Sequence, residues 1–323
     1  MSPTPAEERA GVRLTNLDQP LFDEAGATKR DLVDFLDAVA DRMVPVVAGR
    51  ALSVMRVRPG QPPFMQKNLA AYAPPSIPTL EVPTQDGRKV VRYPVCDDRE
   101  TLLWFANQRA VEYHPTLFRG HDFDSPTQLV LDLDPPAGSD AFAGAVEAAL
   151  LVRRVLDDAG MAALVKTSGA KGVHVVVPLT PGRSAGDVAA ATRAVAVRAE
   201  RLDPELATTA FVVEERDGKV FLDSTRAGGA TVVAAYSPRI RPGAPVSFPL
   251  AWESLADASP ADFTIATVPG LIGDTDPWTD LMPPPQELDP GLVEEGHTIP
   301  VARVAAMHAG KRRARARRLE ADE

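Results

Sequence analysis

Cysteine is almost absent: Cys96 stands alone in a chain of 323 residues. An intramolecular disulfide and a cysteine-based zinc site are therefore excluded, and a reducing, cytoplasmic setting is expected. No apolar run reaches the roughly 18 residues that a membrane-spanning helix requires, so no membrane partner is expected. Met1 to Gly11 mix charges of both signs without an apolar core, so no signal peptide is expected either. Positive charge is also in short supply, 35 Lys and Arg against 44 Asp and Glu, for a net charge of −9. A surface that is basic everywhere is excluded, although a local basic groove is not.

The rest is ordinary for a globular chain, with 45% apolar and 24% charged residues, enough to bury a real core. Length alone predicts one large domain or two modest ones. Proline is the exception. Its 31 residues are about twice normal usage, and clusters such as Pro59 to Pro63, Pro74 to Pro78 and Pro283 to Pro285 mark loops and chain ends.

Residues 1–13 read as a polar leader. Thr28 can cap a helix from Lys29, where Leu32, Phe35, Leu36, Val39, Met43 and Val47 recur at helical spacing, with Pro45 expected to kink or end it. Leu52 to Val57 reads as a strand followed by a proline-rich loop, Val90 to Tyr93 as a strand, and Thr101 to Val111 as a helix. Together these predict an N-terminal α/β module over about 14–120. A second module, about 121–280, follows with strand Gln128 to Asp134, helix Ala141 to Ala159, strand Ala163 to Thr167, loop Ser168 to Gly172, strand Val173 to Pro178, helix Ala185 to Leu202, and strands Lys219 to Asp223 and Thr231 to Tyr236. That β-α-β-β-α-β-β order predicts a split βαβ, ferredoxin-like or RNA-recognition-like antiparallel sheet in an α+β (α/β) fold. The fold alone decides no function. From residue 281 the chain reads as a proline-rich tail ending in the basic run Lys311 to Arg318.

Asp132 and Asp134 lie two apart on a strand and point to one face. Carboxylates so placed, roughly 5–7 Å apart, repel by about 2–3 kcal/mol at an effective dielectric near 20. Protonation of one, or a shared cation, relieves this, and oxygen ligands favour magnesium or manganese. The plainer reading is a strand end entering an acidic loop. In Ser168-Gly169-Ala170-Lys171-Gly172-Val173-His174 a small-residue turn lets backbone N–H groups approach a phosphate while Lys171 supplies charge. A simple hairpin turn with a structural histidine fits the same residues. Asp223, ending its strand, would complete a two-metal phosphoryl-transfer site. His114, Arg216, Lys219 and Arg239 are candidate triphosphate clamps, or else surface charges. The basic run is either a nucleic-acid arm or a solvated tail.

These motifs, in this order, resemble the archaeo-eukaryotic primase superfamily, and within it the polymerase (primase-polymerase) domain of bacterial DNA ligase D and its stand-alone actinobacterial relatives. Leu129 to Pro135, Ser168 to His174 and Val220 to Asp223 resemble its three catalytic motifs. Leu14-Thr15-Asn16, Thr28-Lys29, Phe64 with Lys67, Val111 to His114, Tyr236 to Arg239, Ala244 to Ser247 with Trp252, and Asp276 to Trp278 extend the likeness over about residues 14–280.

The resemblance implies a stand-alone DNA-dependent primase-polymerase, adding ribo- or deoxyribonucleotides during gap filling, end joining or excision repair. It implies Asp132, Asp134 and Asp223 as catalytic ligands of two manganese or magnesium ions. His114, Ser168, Lys171, His174, Arg216, Lys219 and Arg239 would bind the incoming NTP or dNTP. Lys29, Phe64 and Lys67 would bind DNA, Lys29 at the downstream 5′-phosphate. A monomer in the nucleoid, with a DNA ligase acting in trans, is expected. The chain departs from the family at Gln19, where a lysine is usual, at Met65, where a second phenylalanine is usual, and after Asp223, where Ser224-Thr225-Arg226 replaces an aromatic and an asparagine. The competing functions are a non-catalytic DNA-binding repair factor and a metal-dependent nuclease or phosphatase.

Overall fold

The computed structural model describes residues 7–83, 89–138, 140–227 and 230–301. The basic run Lys311 to Arg318 lies outside them. Part of the polar leader is structured: β1 (Glu8–Arg9) and β2 (Val12–Arg13) pair antiparallel, Val12 is buried, and Arg9 meets Asp34 at 2.6 Å.

The capping expectation at Thr28 holds. Its side chain accepts from Asp31 N and its own N–H donates to the Asp31 carboxylate, a reciprocal box opening α1 (Lys29–Ala38). The interruption before α2 (Ala40–Val47) falls at Val39, not at Pro45, which lies inside α2. A proline ring crowds the carbonyl four residues earlier, here in the first turn of α2.

The proline-rich stretch after β3 (Leu52–Arg58) is not a loop. Gln61–Gln66 forms β4, an edge strand paired with β3, and the register between them is irregular at Arg56 to Arg58, opposite Pro62 and Pro63, the kind of place where a missing N–H is tolerated. β5 (Thr79–Pro83) and β6 (Val90–Pro94) form a hairpin. The expected helix over 101–111 is shorter. α3 (Arg99–Asn107) is capped by Asp98, and Arg109 takes a left-handed φ of 60°, reversing the chain into β7 (Ala110–Pro115).

The second stretch keeps the first six expected elements in order, with β11 and β13 in addition and no strand over Thr231 to Tyr236. β8 (Gln128–Asp134), α4 (Ala141–Asp158), β9 (Leu164–Thr167), β10 (Val173–Pro178), α5 (Ala185–Leu202), β11 (Ala207–Thr208), β12 (Val220–Asp223) and β13 (Pro249–Leu250) build a six-stranded sheet ordered β11-β12-β8-β10-β9-β13. Its centre, β12-β8-β10-β9, is antiparallel throughout, the split βαβ arrangement. Thr231 to Tyr236 does not join it. The segment runs beside β7, with Val232 N donating to Pro115 O (3.1 Å) and Ala234 N to Tyr113 O (2.9 Å), which ties the two modules together.

Alternation decides where the chemistry can be. Leu129, Leu131 and Leu133 are fully buried in the main core, with Val173, Val175 and Val177 of β10 and Val220 and Leu222 of β12. Val130 and Val176, on the opposite face, are covered by Leu117 and Val232. Further along that face the polar residues begin.

Short helices α6 (Val268–Ile272) and α7 (Pro277–Leu281) precede α8 (Pro290–Thr298), which lies within the expected tail but docks on α5. A β-carbon at Gly296 would fall 1.8 Å from Ala190 O, so only glycine permits that approach. Among the described residues no helix is long and apolar enough to cross a membrane.

Candidate active site

Strand register gathers the three aspartates. Asp132 stands opposite Asp223 on β12 and opposite His174 on β10. Asp134 follows two residues on, opposite Phe221. They line a pocket of about 900 Å³ with Ser168, Lys171, Phe211, Arg216, Arg226, Arg239 and Arg241. Every carboxylate has cationic company. Lys171 Nζ lies 3.2 Å and Arg216 Nη1 3.5 Å from Asp134. Arg226 Nη2 lies 2.6 Å from Asp132 Oδ2 and 2.9 Å from Asp223 Oδ2. Burial alone would raise the Asp132 pKa, but His174 and Arg226 more than offset it and hold the carboxyl well below the usual range.

The phosphate-loop residues are built as a cup. Ser168 Oγ accepts from Ala170 N (3.2 Å) and Gly172 N (3.1 Å), while Arg239 Nη1 donates to Ser168 O at 2.5 Å. Gly169 has φ +70°, and a β-carbon there would press on Arg239 Cγ at 2.6 Å, so the position calls for glycine twice over. Lys171 also donates to Pro135 O. The Arg216 guanidinium lies over the Phe221 ring, 3.9 Å from its centroid, which fixes a long side chain at the pocket wall.

His114 and Lys219 do not line the pocket. His114 is joined to it through Glu112, whose carboxylate meets His114 Nε2 at 2.9 Å and Arg239 Nε at 3.2 Å and accepts from Ile240 N at 2.8 Å. Burial opposes ionisation of Glu112, yet these partners lower its pKa to about 2. The folded state therefore binds fewer protons than the unfolded chain between about pH 4.5 and 2, so the stabilisation is fully present above that window and lost as pH falls through it. Glu112→Gln should be about 2–3 kcal/mol less stable than the parent at neutral pH. The gap should close below pH 4 in urea titrations, and a gap independent of pH would show that the charge contributes nothing.

Two groups had little signal in the sequence. Lys166 is 2% exposed on β9, opposite His174. Its Nζ bonds His174 Nδ1 at 2.9 Å and Ser247 Oγ at 2.5 Å. Burial, then the Arg239 charge, pushes the Lys166 pKa well below that of an ordinary lysine. Burial and the Lys166 charge likewise lower His174 to about 4. His174 is then neutral at pH 7, accepting at Nδ1 and presenting its Nε2–H to Asp132 Oδ1, 3.2 Å away. Lys166→Met should cut catalysis by about 10–100-fold, as losing a residue that orients a site group typically does, with little change in Tm because a buried cation is costly to keep. Unchanged kcat and KM would remove Lys166 from any positioning role. The only hint in the sequence is a lone lysine in the apolar run Ala163 to Thr167. The other group, Arg226, sits in the stretch where the chain departs from the resemblance.

The expected DNA-binding residues lie apart from the aspartates. Phe64 is on edge strand β4 under Arg58, 4.6 Å from its ring centroid, and Lys67 is exposed just beyond. Lys29 is 2% exposed, its Nζ donating to Asn107 Oδ1 (2.7 Å) and Thr15 O. Burial, and then Arg109, lower its pKa to about 8. Gln19 and Arg109 line a neighbouring cavity of about 770 Å³.

Among the described residues, no three His, Cys, Asp or Glu side chains stand as a ready metal cage. Asp132 and Asp223 nevertheless already share one positive nitrogen, and their hard oxygen donors fit magnesium or manganese.

A family model described as "LigD, primase-polymerase domain" matches residues 28–278. The Bifunctional non-homologous end joining protein LigD of Bacillus subtilis is 34% identical over 80% of this chain and 42% of its own length. The Multifunctional non-homologous end joining protein LigD of Mycobacterium bovis is 37% identical over 76% of this chain and 34% of its own. The chain thus spans under half the length of either relative. The polymerase domain of Mycobacterium tuberculosis ligase D, solved in complex with DNA, superposes with a TM-score of 0.77 at 34% identity, covering 85% of this chain and 98% of that one. The α+β architecture expected from the motifs is therefore the architecture found, consistent with the archaeo-eukaryotic primase fold. With the model spanning well over half its length, the chain belongs to the LigD primase-polymerase domain family, a family of nucleotidyltransferases.

Proposed function

We propose that this protein adds ribo- or deoxyribonucleotides to a primer 3′-hydroxyl on gapped or broken DNA, in gap filling or end joining. The observation that carries this reading is three aspartates on one open sheet face, brought together by register and ringed by Lys171, Arg216, Arg239 and Arg241. A nuclease could use the same carboxylates. A wall this rich in cations instead suits a triphosphate.

In the reaction the 3′-oxygen attacks the α-phosphorus, the bond to the β-phosphate oxygen breaks, and pyrophosphate leaves. Asp132, Asp134 and Asp223 would hold two manganese or magnesium ions, which supply Lewis-acid activation of the hydroxyl and charge neutralisation. Lys171, Arg216 and Arg239, all lining the pocket, compensate the triphosphate charge. The Ser168 to Gly172 turn brings the backbone close to the phosphates. Lys166 and His174 keep Asp132 oriented. His114 acts through Glu112 on Arg239, and Lys219 adds positive charge ahead of β12. Phe64 and Lys67 present a stacking face and a charge to DNA, and Lys29 with Arg109 places charge beside the Gln19 cavity for a downstream 5′-phosphate. The filled gap leaves a nick for a DNA ligase.

Extension of a labelled primer across a short gap tests the reading, comparing ribo- with deoxyribonucleotides, manganese with magnesium, and a downstream 5′-phosphate with a 5′-hydroxyl. Templated addition supports it. Bound but unextended DNA favours the non-catalytic repair factor, and shortened primer favours a nuclease.

A further inference from the structure

Asp132 and Asp223 each have one oxygen committed elsewhere. Asp132 Oδ1 faces His174, and Asp223 Oδ1 accepts from Thr225 N (2.9 Å) and Thr225 Oγ1 (2.6 Å). The oxygens left over, both Oδ2, converge on a single nitrogen, Arg226 Nη2. Arg226 thus sits where two facing carboxylates would otherwise share an ion. Its Nε is buried with no hydrogen-bond partner among the described residues, so the contacts of its Nη2 to the two carboxylates are what hold the guanidinium there. A guanidinium does not deprotonate in proteins, so it can yield the place only by moving. The side chain is about one-third exposed and lines the open pocket, which gives it somewhere to go.

We propose that Arg226 is an internal counter-cation of the Asp132–Asp223 pair that a divalent ion must displace, so that this residue sets the affinity of the site for metal. The inference rests on the reading of these aspartates as metal ligands. Without metal, Arg226 relieves the repulsion between two carboxylates held together by strand register. With metal, the same carboxylates exchange one positive partner for another, and the net affinity is reduced by the cost of evicting the first.

The test is titration of the chelator-treated full chain with Mn²⁺, with free Mn²⁺ followed by electron paramagnetic resonance and Tm measured in parallel. The parent should show a site that Asp132→Ala weakens. Arg226→Ala should bind Mn²⁺ about tenfold more tightly or better, and Arg226→Lys should fall between. In chelator Arg226→Ala should melt below the parent, and it should gain more Tm from Mn²⁺. Should the alanine variant not fold, Arg226→Gln, neutral and of similar reach, carries the same comparison. Mn²⁺ affinity that is unchanged or weaker in the folded neutral variants would overturn the competition while leaving the metal site standing. Parent binding that Asp132→Ala does not weaken would overturn the metal site, and the inference with it.

Discussion

Asp132→Ala is expected to slow nucleotide addition by about a thousandfold or more, equivalent to ~4 kcal/mol or more of lost transition-state stabilisation. DNA binding should stay within a few-fold of the parent. The size follows from position. Asp132 is flanked by Asp223 and His174 on adjacent strands and stands two residues from Asp134, so it lies at the centre of the carboxylate group rather than at its edge. The variant also leaves His174 Nε2 without its acceptor and Arg226 with one carboxylate instead of two. Asp132→Asn, which keeps shape and an acceptor oxygen, separates loss of charge from loss of packing. Both variants should be inactive, and Asn should retain more of the parent Tm. Single-turnover extension on a gapped duplex, with a binding isotherm on the same DNA, reads both quantities. Extension within tenfold of the parent would take Asp132 out of the chemistry.

Gly172→Ala should be the most damaging small substitution. A β-carbon there would lie 2.3 Å from Leu133 O, a backbone atom at the end of the β8–β10 ladder, where Val173 pairs with Leu133. Neither strand can move away without breaking the register that aligns Asp132 with His174. The cost is expected at about 3 kcal/mol, the upper end for overpacking, or a fall in Tm of about 4 °C. Activity should fall further than stability explains, because relieving the clash displaces the Gly172 N–H that donates to Ser168 Oγ and closes the phosphate cup. Urea denaturation with kcat and KM measured on the folded variant checks both parts. A parent-like midpoint would mean that the turn can open at no cost.

Much of this site was legible because its strands announce themselves. Leu131 to Asp134 alternates apolar with polar, and Val173 to Pro178 follows a turn of small residues, so both strands and the face they share could be read from spacing. Register could not. That Asp132 stands opposite both His174 and Asp223 depends on how three distant segments slide against one another, and long-range packing decides that. Lys166 was hidden for the same reason. A lysine in a strand reads as exposed until its neighbour is known to be a histidine needing a donor. The proline-rich β4 was missed because proline argues against a strand unless the strand is known to be an edge. Thr231 to Tyr236 was misplaced because its apolar run is equally at home beside β7 and in the larger sheet.

The two faces of β8 have a genetic consequence. Beyond Val130, which packs under Leu117 and Val232, mutational sensitivity along the strand should split by parity. Changes at odd positions, Leu129, Leu131 and Leu133, should be suppressed by lower temperature or by stabilising changes elsewhere in the chain. At Asp132 and Asp134 no gain in stability should restore function. A selection run at two temperatures would therefore return two interleaved alphabets along one strand, one tolerant of any residue that fills space and the other of almost none.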